Sequence, residues 1–236
     1  MTSLTRRQTL LAAIAIASGA GVRAQAFPSK PVRIIVGYSA GGAVDIIARA
    51  IGQHLQAALG QPVIVDNRPG AGTNIATKSL IDSAPDGHTL MLAANALAAN
   101  VSLFQPAPYA LDCITPIALV GRVPVVLAAS AQSPVHSIKT LIAQSKAKPA
   151  SIDYGTPGNG STPHLAIELF ERAAGIRLTH VPYKGGAPAM NDVIGGHIQT
   201  VALNALELLP PVATWHPARR LSSPTCFNAS SSATKS

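Results

Sequence analysis

The chain has 236 residues, 47% of them apolar and 12% charged, which excludes a disordered polymer and suffices for one large domain or two small lobes. Its formal charge of +8 gathers at the ends: Arg6, Arg7, Arg23, Arg219, Arg220 and Lys235 lie outside the stretch 27–211, which carries twelve basic against ten acidic residues, a net +2. That stretch holds no basic cluster interleaved with aromatics, so nucleic acid is not expected as a partner.

Residues 1–26 read as a signal peptide. Thr5-Arg6-Arg7-Gln8 is a charged start, the apolar run from Leu10 to Ala17 is too short to span a bilayer, and Ala24-Gln25-Ala26 has the small-x-small form of a cleavage site. Export to the bacterial periplasm follows. The Arg6-Arg7 pair points toward the twin-arginine route, although Thr9 stands where that signal calls for a bulky apolar residue.

Val32-Arg33-Ile34-Ile35-Val36 is expected as a buried strand, followed by the glycine loop Gly37–Gly42 and a helix. The apolar positions Ile46, Ile47, Ala50, Ile51, Leu55 and Leu59 follow helical spacing, and Gly60 closes it. Pro62–Asp66 reads as a strand, Arg68–Gly72 as a turn, Ile75–Ser83 as a short helix and His88–Ala93 as a third strand. This βαβαβ order calls for a parallel sheet with helices on its faces, in a first lobe over 27–120.

Ile117–Gly121 and Val125–Ala129, split by Pro124, read as strands crossing to a second lobe over 121–211. There Ser137 caps a helix ending near Lys148-Pro149, and Ile152-Asp153-Tyr154 is a strand. Thr162 caps a helix Pro163–Ala174 with Gly175 past its end. Leu178–Val181, a helix Pro188–Ile194 and Ile198–Leu203 complete the set. From Val212 the periodicity stops, and 212–236 read as an irregular, disordered tail or as a chain cut short or shifted in frame. Cys113 and Cys226 lack metal-ligand spacing and are taken as unpaired. No metal or cofactor is expected, because His, Cys and carboxylates do not cluster.

The glycine loops carry the functional signal. At Tyr38-Ser39-Ala40-Gly41-Gly42, and again at Thr156-Pro157-Gly158-Asn159-Gly160-Ser161, a strand turns through glycines into a helix. That arrangement points amide N–H groups and the positive end of the helix dipole at open space, ready for an anion such as a carboxylate. Tyr183-Lys184-Gly185-Gly186 repeats the pattern. Tyr38 and Tyr183 are candidates to wall a cleft, Asn95 and Asn204 follow strands where open α/β sheets bind ligands, and His164 opens a helix. Asn95, Asn204 and His164 read equally well as turn or surface residues. Asp45 and Arg49, four apart on a helix, are expected to pair with each other.

Gly37-Tyr38-Ser39-Ala40-Gly41 also fits the G-x-S-x-G nucleophile elbow, with Asp153 and His180 or His197 in the right order for a triad. Only about ten mature residues precede it, too few to build the sheet and oxyanion hole such an enzyme needs. An esterase using Ser39 is the alternative to a binding protein.

The ordered set Pro31–Val36, Gly41-Gly42, Asp45, Asp66-Asn67-Arg68-Pro69-Gly70-Ala71-Gly72, Ala84-Pro85-Asp86-Gly87 and Val181-Pro182-Tyr183-Lys184-Gly185-Gly186 closely resembles the Bug family, the TctC-type substrate-binding proteins of tripartite tricarboxylate transporters. The resemblance covers roughly 27–211. It implies a two-lobed α/β fold like that of type II periplasmic binding proteins, with its C-terminal part missing here. It further implies a monomeric receptor that closes over a small carboxylated solute and serves two membrane permease subunits. The carboxylate roles fall on the loops Tyr38–Gly42 and Thr156–Ser161.

Overall fold

The computed structural model describes residues 27–208. The readings made for the signal peptide, for Cys226 and for the tail from Val212 fall outside the described residues.

β1 (Val32–Val36) is the centre of the first sheet, with β2 (Val63–Asn67) and β3 (Thr89–Leu92) parallel on either side in the order β2-β1-β3. Ile34 lies opposite both Val65 and Leu90, and Ile35 opposite Asp66 and Met91. A strand covered on both faces and both edges can be apolar throughout, and Val32, Ile34, Ile35 and Val36 are all buried. Each such side chain contributes roughly 1.5–3 kcal/mol when withdrawn from water.

Helix α1 (Ala43–Leu59) packs on this sheet with a face turned partly from the one its apolar spacing predicts: Ile47, Ile51, Leu55 and Leu59 are half-buried, and smaller residues lie deepest. Ala43, Ala48 and Gly52 are buried, Val44 and Leu55 pack against the core, and Ile46 is 40% exposed. Small residues win the sheet-facing side because they let the helix axis come close: a Cβ on Gly52 would stand 3.4 Å from Val63. Gly60 ends α1 in the left-handed conformation.

A 3-10 turn, Ala71–Thr73, leads into α2 (Asn74–Ile81), slightly earlier than the expected helix. Sequence periodicity gives no hint of the next helix, α3 (Ala96–Leu103). Its short ALAANVSL run scatters apolar residues around the helix, with Asn100 among the buried ones, and has no helical stripe to read. Ile117–Gly121 does not form the expected strand. Ile117 and Leu119 are 80% and 76% exposed, and with no neighbouring strand to pair with, an apolar run stays irregular.

The second sheet runs β4-β7-β5-β6, from β4 (Val125–Ala129), β5 (Asp153–Thr156), β6 (Thr179–Pro182) and β7 (Thr200–Asn204). β5 pairs parallel with β6 and β7, but β4 runs antiparallel to β7, so this sheet is mixed, unlike the parallel first sheet. Helices α4 (Ile138–Ala147), α5 (Thr162–Ala174) and α6 (Gly186–Ile194) complete this lobe. Ser137 caps α4 in a reciprocal box with Thr140. Ser161, one residue before the expected Thr162, caps α5, because its hydroxyl accepts from His164 N. Two clusters hold the lobe: Leu141, Ile152, Tyr154 and Ile167 in one, Met190, Val193, Val201 and Leu203 in the other.

Candidate functional site

The loop Tyr38–Gly42 ends β1 at the junction of the two lobes. Ser39 N donates to Lys184 O at 2.9 Å, so the first glycine loop meets the third loop directly. The fit requires glycine at 185: a Cβ there, at φ 155°, would collide with Ser39 Oγ and stand 2.8 Å from its backbone nitrogen.

The loop amides already have acceptors from the chain. Gly41, at φ 81°, donates to Asp45 Oδ2 at 2.9 Å. The same oxygen accepts from Arg49 Nε at 2.9 Å, the pair anticipated from spacing. Burial raises the Asp45 pKa, but the hydrogen bonds from Arg49, Gly41 and Asn67 outweigh it and hold the carboxyl below its usual range.

Ala43 N, the first amide of α1, donates at 2.9 Å to Glu207 Oε1 from the other lobe. Glu207 is only 8% exposed, and its Oε2 accepts from Asn204 N at 3.0 Å. It also lies against Gly186, where a Cβ would overlap the carboxylate. Thus one carboxylate sits between the starts of α1 and α6. Burial pushes its pKa up, against the lowering effect of the Ala43 and Asn204 hydrogen bonds. Tyr38 is buried beside it, its phenol pKa pushed up by burial and then by the charges of Glu207 and Tyr109.

The second loop faces a different part of the first lobe. Asn159 O lies 3.3 Å from where a Cβ on Gly72 would stand, and a Cβ on Gly160 would sit 3.1 Å from Asn100 Oδ1. Inside the loop, Gly158 N donates to Thr156 Oγ1 at 3.2 Å and Gly160 N to His164 Nδ1 at 3.2 Å. Thr156 Oγ1 shares a 2.7 Å hydrogen bond with His180 Nε2. The His164 and His180 rings stack at 4.1 Å. Burial lowers both histidines, His180 to about 4 with a further contribution from His164.

The remaining predicted residues divide. Ala40, Asn95 and Asn159 are exposed, and Gly42 and Ser161 are buried. Asn95 precedes α3 without capping it through its side chain. Tyr183 donates its hydroxyl to Asp192 Oδ2 at 2.6 Å within its own lobe. The Asn204 side chain reaches Glu207 Oε2 at 3.5 Å.

Three polar atoms at this junction, Ser39 Oγ, Thr73 Oγ1 and Asn100 Oδ1, are buried without a hydrogen-bond partner. Asn100, Thr73 and Glu207 were not anticipated, because nothing local marks them: two sit on or beside α3 and the 3-10 turn, and the third follows β7. Ser39 lacks the histidine partner that the elbow reading requires. A groove of about 590 Å³ elsewhere on the first lobe is lined by Arg68, Asn74, Lys78 and Ser79. Its cations are engaged, Arg68 by Asp66 and Ser79, Lys78 by Asp82. Among the described residues no His, Cys, Asp and Glu side chains gather in threes fit to hold a metal ion.

Two α/β lobes, one on a parallel and one on a mixed sheet, that meet through glycine loops at helix starts define the class of periplasmic solute-binding folds. Residues 47–216 match the model of the tripartite tricarboxylate transporter family receptor, TctC, and the chain belongs to that family. It is 37% identical over 214 residues to Protein BugT of Bordetella pertussis, covering 84% of this chain and 66% of that one. Among solved structures it resembles R. palustris Rpa4515 with adipate, at 32% identity and TM-score 0.75, covering 79% of this chain and 63% of that one. It also resembles MatC from Rhodopseudomonas palustris with bound malate, at 29% identity and TM-score 0.73, covering 79% and 64%. The chain spans slightly less than two thirds of the length of these relatives.

Proposed function

We propose that the chain is a monomeric periplasmic receptor, exported by its N-terminal signal, that captures a small carboxylate between two lobes. It hands the solute to the membrane permease subunits of a tripartite tricarboxylate transporter. The observation that carries this reading is the Glu207 carboxylate held on Ala43 N at the lobe junction. A carboxylate rests there on backbone and helix dipole, without a cationic side chain. Relatives of the same fold whose structures contain adipate and malate support it.

A binding protein fits better than an esterase. Ser39 Oγ has no hydrogen-bond partner, while His180 is engaged by Thr156 and His164 by Gly160. A nucleophilic serine needs a base within hydrogen-bond reach. Calorimetry and thermal-shift measurements with a panel of small carboxylates test the reading. Saturable binding with a raised melting temperature is expected. Ester hydrolysis abolished by Ser39→Ala, with no carboxylate binding, would replace it by the enzyme reading.

A further inference from the structure

The second glycine loop is wedged between the lobes. A Cβ on Gly160 would stand 2.8 Å from Leu103 Cδ1 and 3.1 Å from Asn100 Oδ1, both on α3 of the first lobe. On the other side, a Cβ on Gly158 would come 2.9 Å from Tyr183 O. Both glycines lie at positive φ, 133° at Gly158 and 73° at Gly160. Glycine moves readily between conformations, so hydrogen bonds rather than backbone stiffness fix this path.

Side chains hold two of the loop amides. Gly158 N donates to Thr156 Oγ1 and Gly160 N to His164 Nδ1, each at 3.2 Å. The second bond differs from the first because its acceptor titrates. Gly160 N brings a hydrogen to Nδ1, so that nitrogen must present a lone pair, and the neutral ring carries its own proton on Nε2. A proton on Nδ1 would set two N–H groups against each other and break the bond.

The groups around His164 decide how readily that proton arrives. On its own helix α5, Glu168 Oε1 lies 3.6 Å from Nε2 and favours the charged ring. From β6, His180 stacks on it at 4.1 Å; from β5, Tyr154 stacks on His180 and donates its hydroxyl to Glu168. The facing helix α3 carries no ionisable residue. Burial of the ring outweighs Glu168 and lowers the His164 pKa below its ordinary value of 6.5. Release of Gly160 would open Nδ1 to water, so proton uptake and closure of the loop on α3 oppose each other by the same factor.

We propose that His164 is a positioning residue for solute capture: its unprotonated Nδ1 holds Gly160 and keeps the second glycine loop closed on α3, and a proton on that nitrogen releases the loop and the solute with it. This rests on the receptor reading above and adds a proton dependence to it.

The test is isothermal titration of the full chain with propionate, succinate and adipate at about pH 7.5 and about pH 5.5, with circular dichroism confirming the fold at each pH. Affinity of the unmutated chain should fall roughly fivefold to tenfold between the two, the loss expected for one linked proton. His164→Asn, whose Oδ1 keeps an acceptor in the place of Nδ1 but does not titrate, should remove that dependence, and it also corrects for ionisation of the acids themselves. His164→Leu, without an acceptor, should bind more weakly than His164→Asn at about pH 7.5. Independently of any solute, imidazole nitrogen NMR spectra at about pH 7.5 should show His164 neutral with its proton on Nε2. An affinity independent of pH in the unmutated chain, the same dependence in His164→Asn, or a neutral His164 with its proton on Nδ1 overturns the proposal and leaves the receptor reading standing. Failure of all three acids to bind the unmutated chain at about pH 7.5 brings down the receptor reading and this proposal with it.

Discussion

His164 and His180 lie ring over ring, centroids 4.1 Å apart and planes 22° from parallel, and Tyr154 stacks on His180 at 5.0 Å. The stack joins α5 to β6 and β5 at the base of the second glycine loop, where His180 is also tied to Thr156 and His164 to Gly160 N. Rings this close cannot both carry a proton without repulsion.

A histidine whose folded pKa lies below its free value binds its proton more readily in the unfolded chain. Stability should therefore be full above about pH 6.5 and fall as pH drops toward about 4, where His180 protonates in the folded protein. At face value the shift is worth about 3 kcal/mol, and for a half-exposed ring screening leaves roughly 1–2 kcal/mol. Thermal melts between these pH values should show the loss, and His180→Gln should flatten the curve. An equally steep curve in the variant would remove His180 as its cause.

Gly185→Ala should loosen the junction of the lobes. Its Cβ meets both the Ser39 hydroxyl and the Ser39 backbone nitrogen, and φ 155° disfavours any L side chain. A loss of roughly 1–3 kcal/mol is expected in denaturant unfolding. Ser39→Ala in the same chain should give little rescue, because the backbone contact remains.

Within the first loop, Gly41→Val should reduce carboxylate affinity more than Ser39→Ala. The first forces a branched side chain to φ 81° and disturbs the Gly41–Asp45 hydrogen bond, whereas the second removes one unpaired hydroxyl. Titrating the same acid into both variants decides it. Equal losses would show that the left-handed turn at Gly41 does not shape the site.

Leu141 is 1% exposed in the second lobe's core. Leu141→Ala should cost about 2–5 kcal/mol through lost burial and the cavity left behind. Urea unfolding measures it, and a loss under about 1 kcal/mol would mean that the site collapses around the smaller side chain.

The strands and most helices of this protein were legible in the sequence because their signals are local. A run such as Val32–Val36, a capping serine at 137 or a glycine at 175 acts on its own neighbours. The glycine loops at Tyr38–Gly42 and Thr156–Ser161 were legible for the same reason. The sheet-facing side of α1, the antiparallel run of β4, the failure of Ile117–Gly121 to pair and the existence of α3 depend on what lies across the fold. The site itself belongs to that second group. Glu207 reaches Ala43 across 164 positions, Asn100 is buried where the second loop packs on it, and Thr73 is buried against Gly37. Local sequence can announce an amide that wants an anion. Only tertiary structure decides which carboxylate it receives, because the acid that fills it is brought there by the packing of a distant strand.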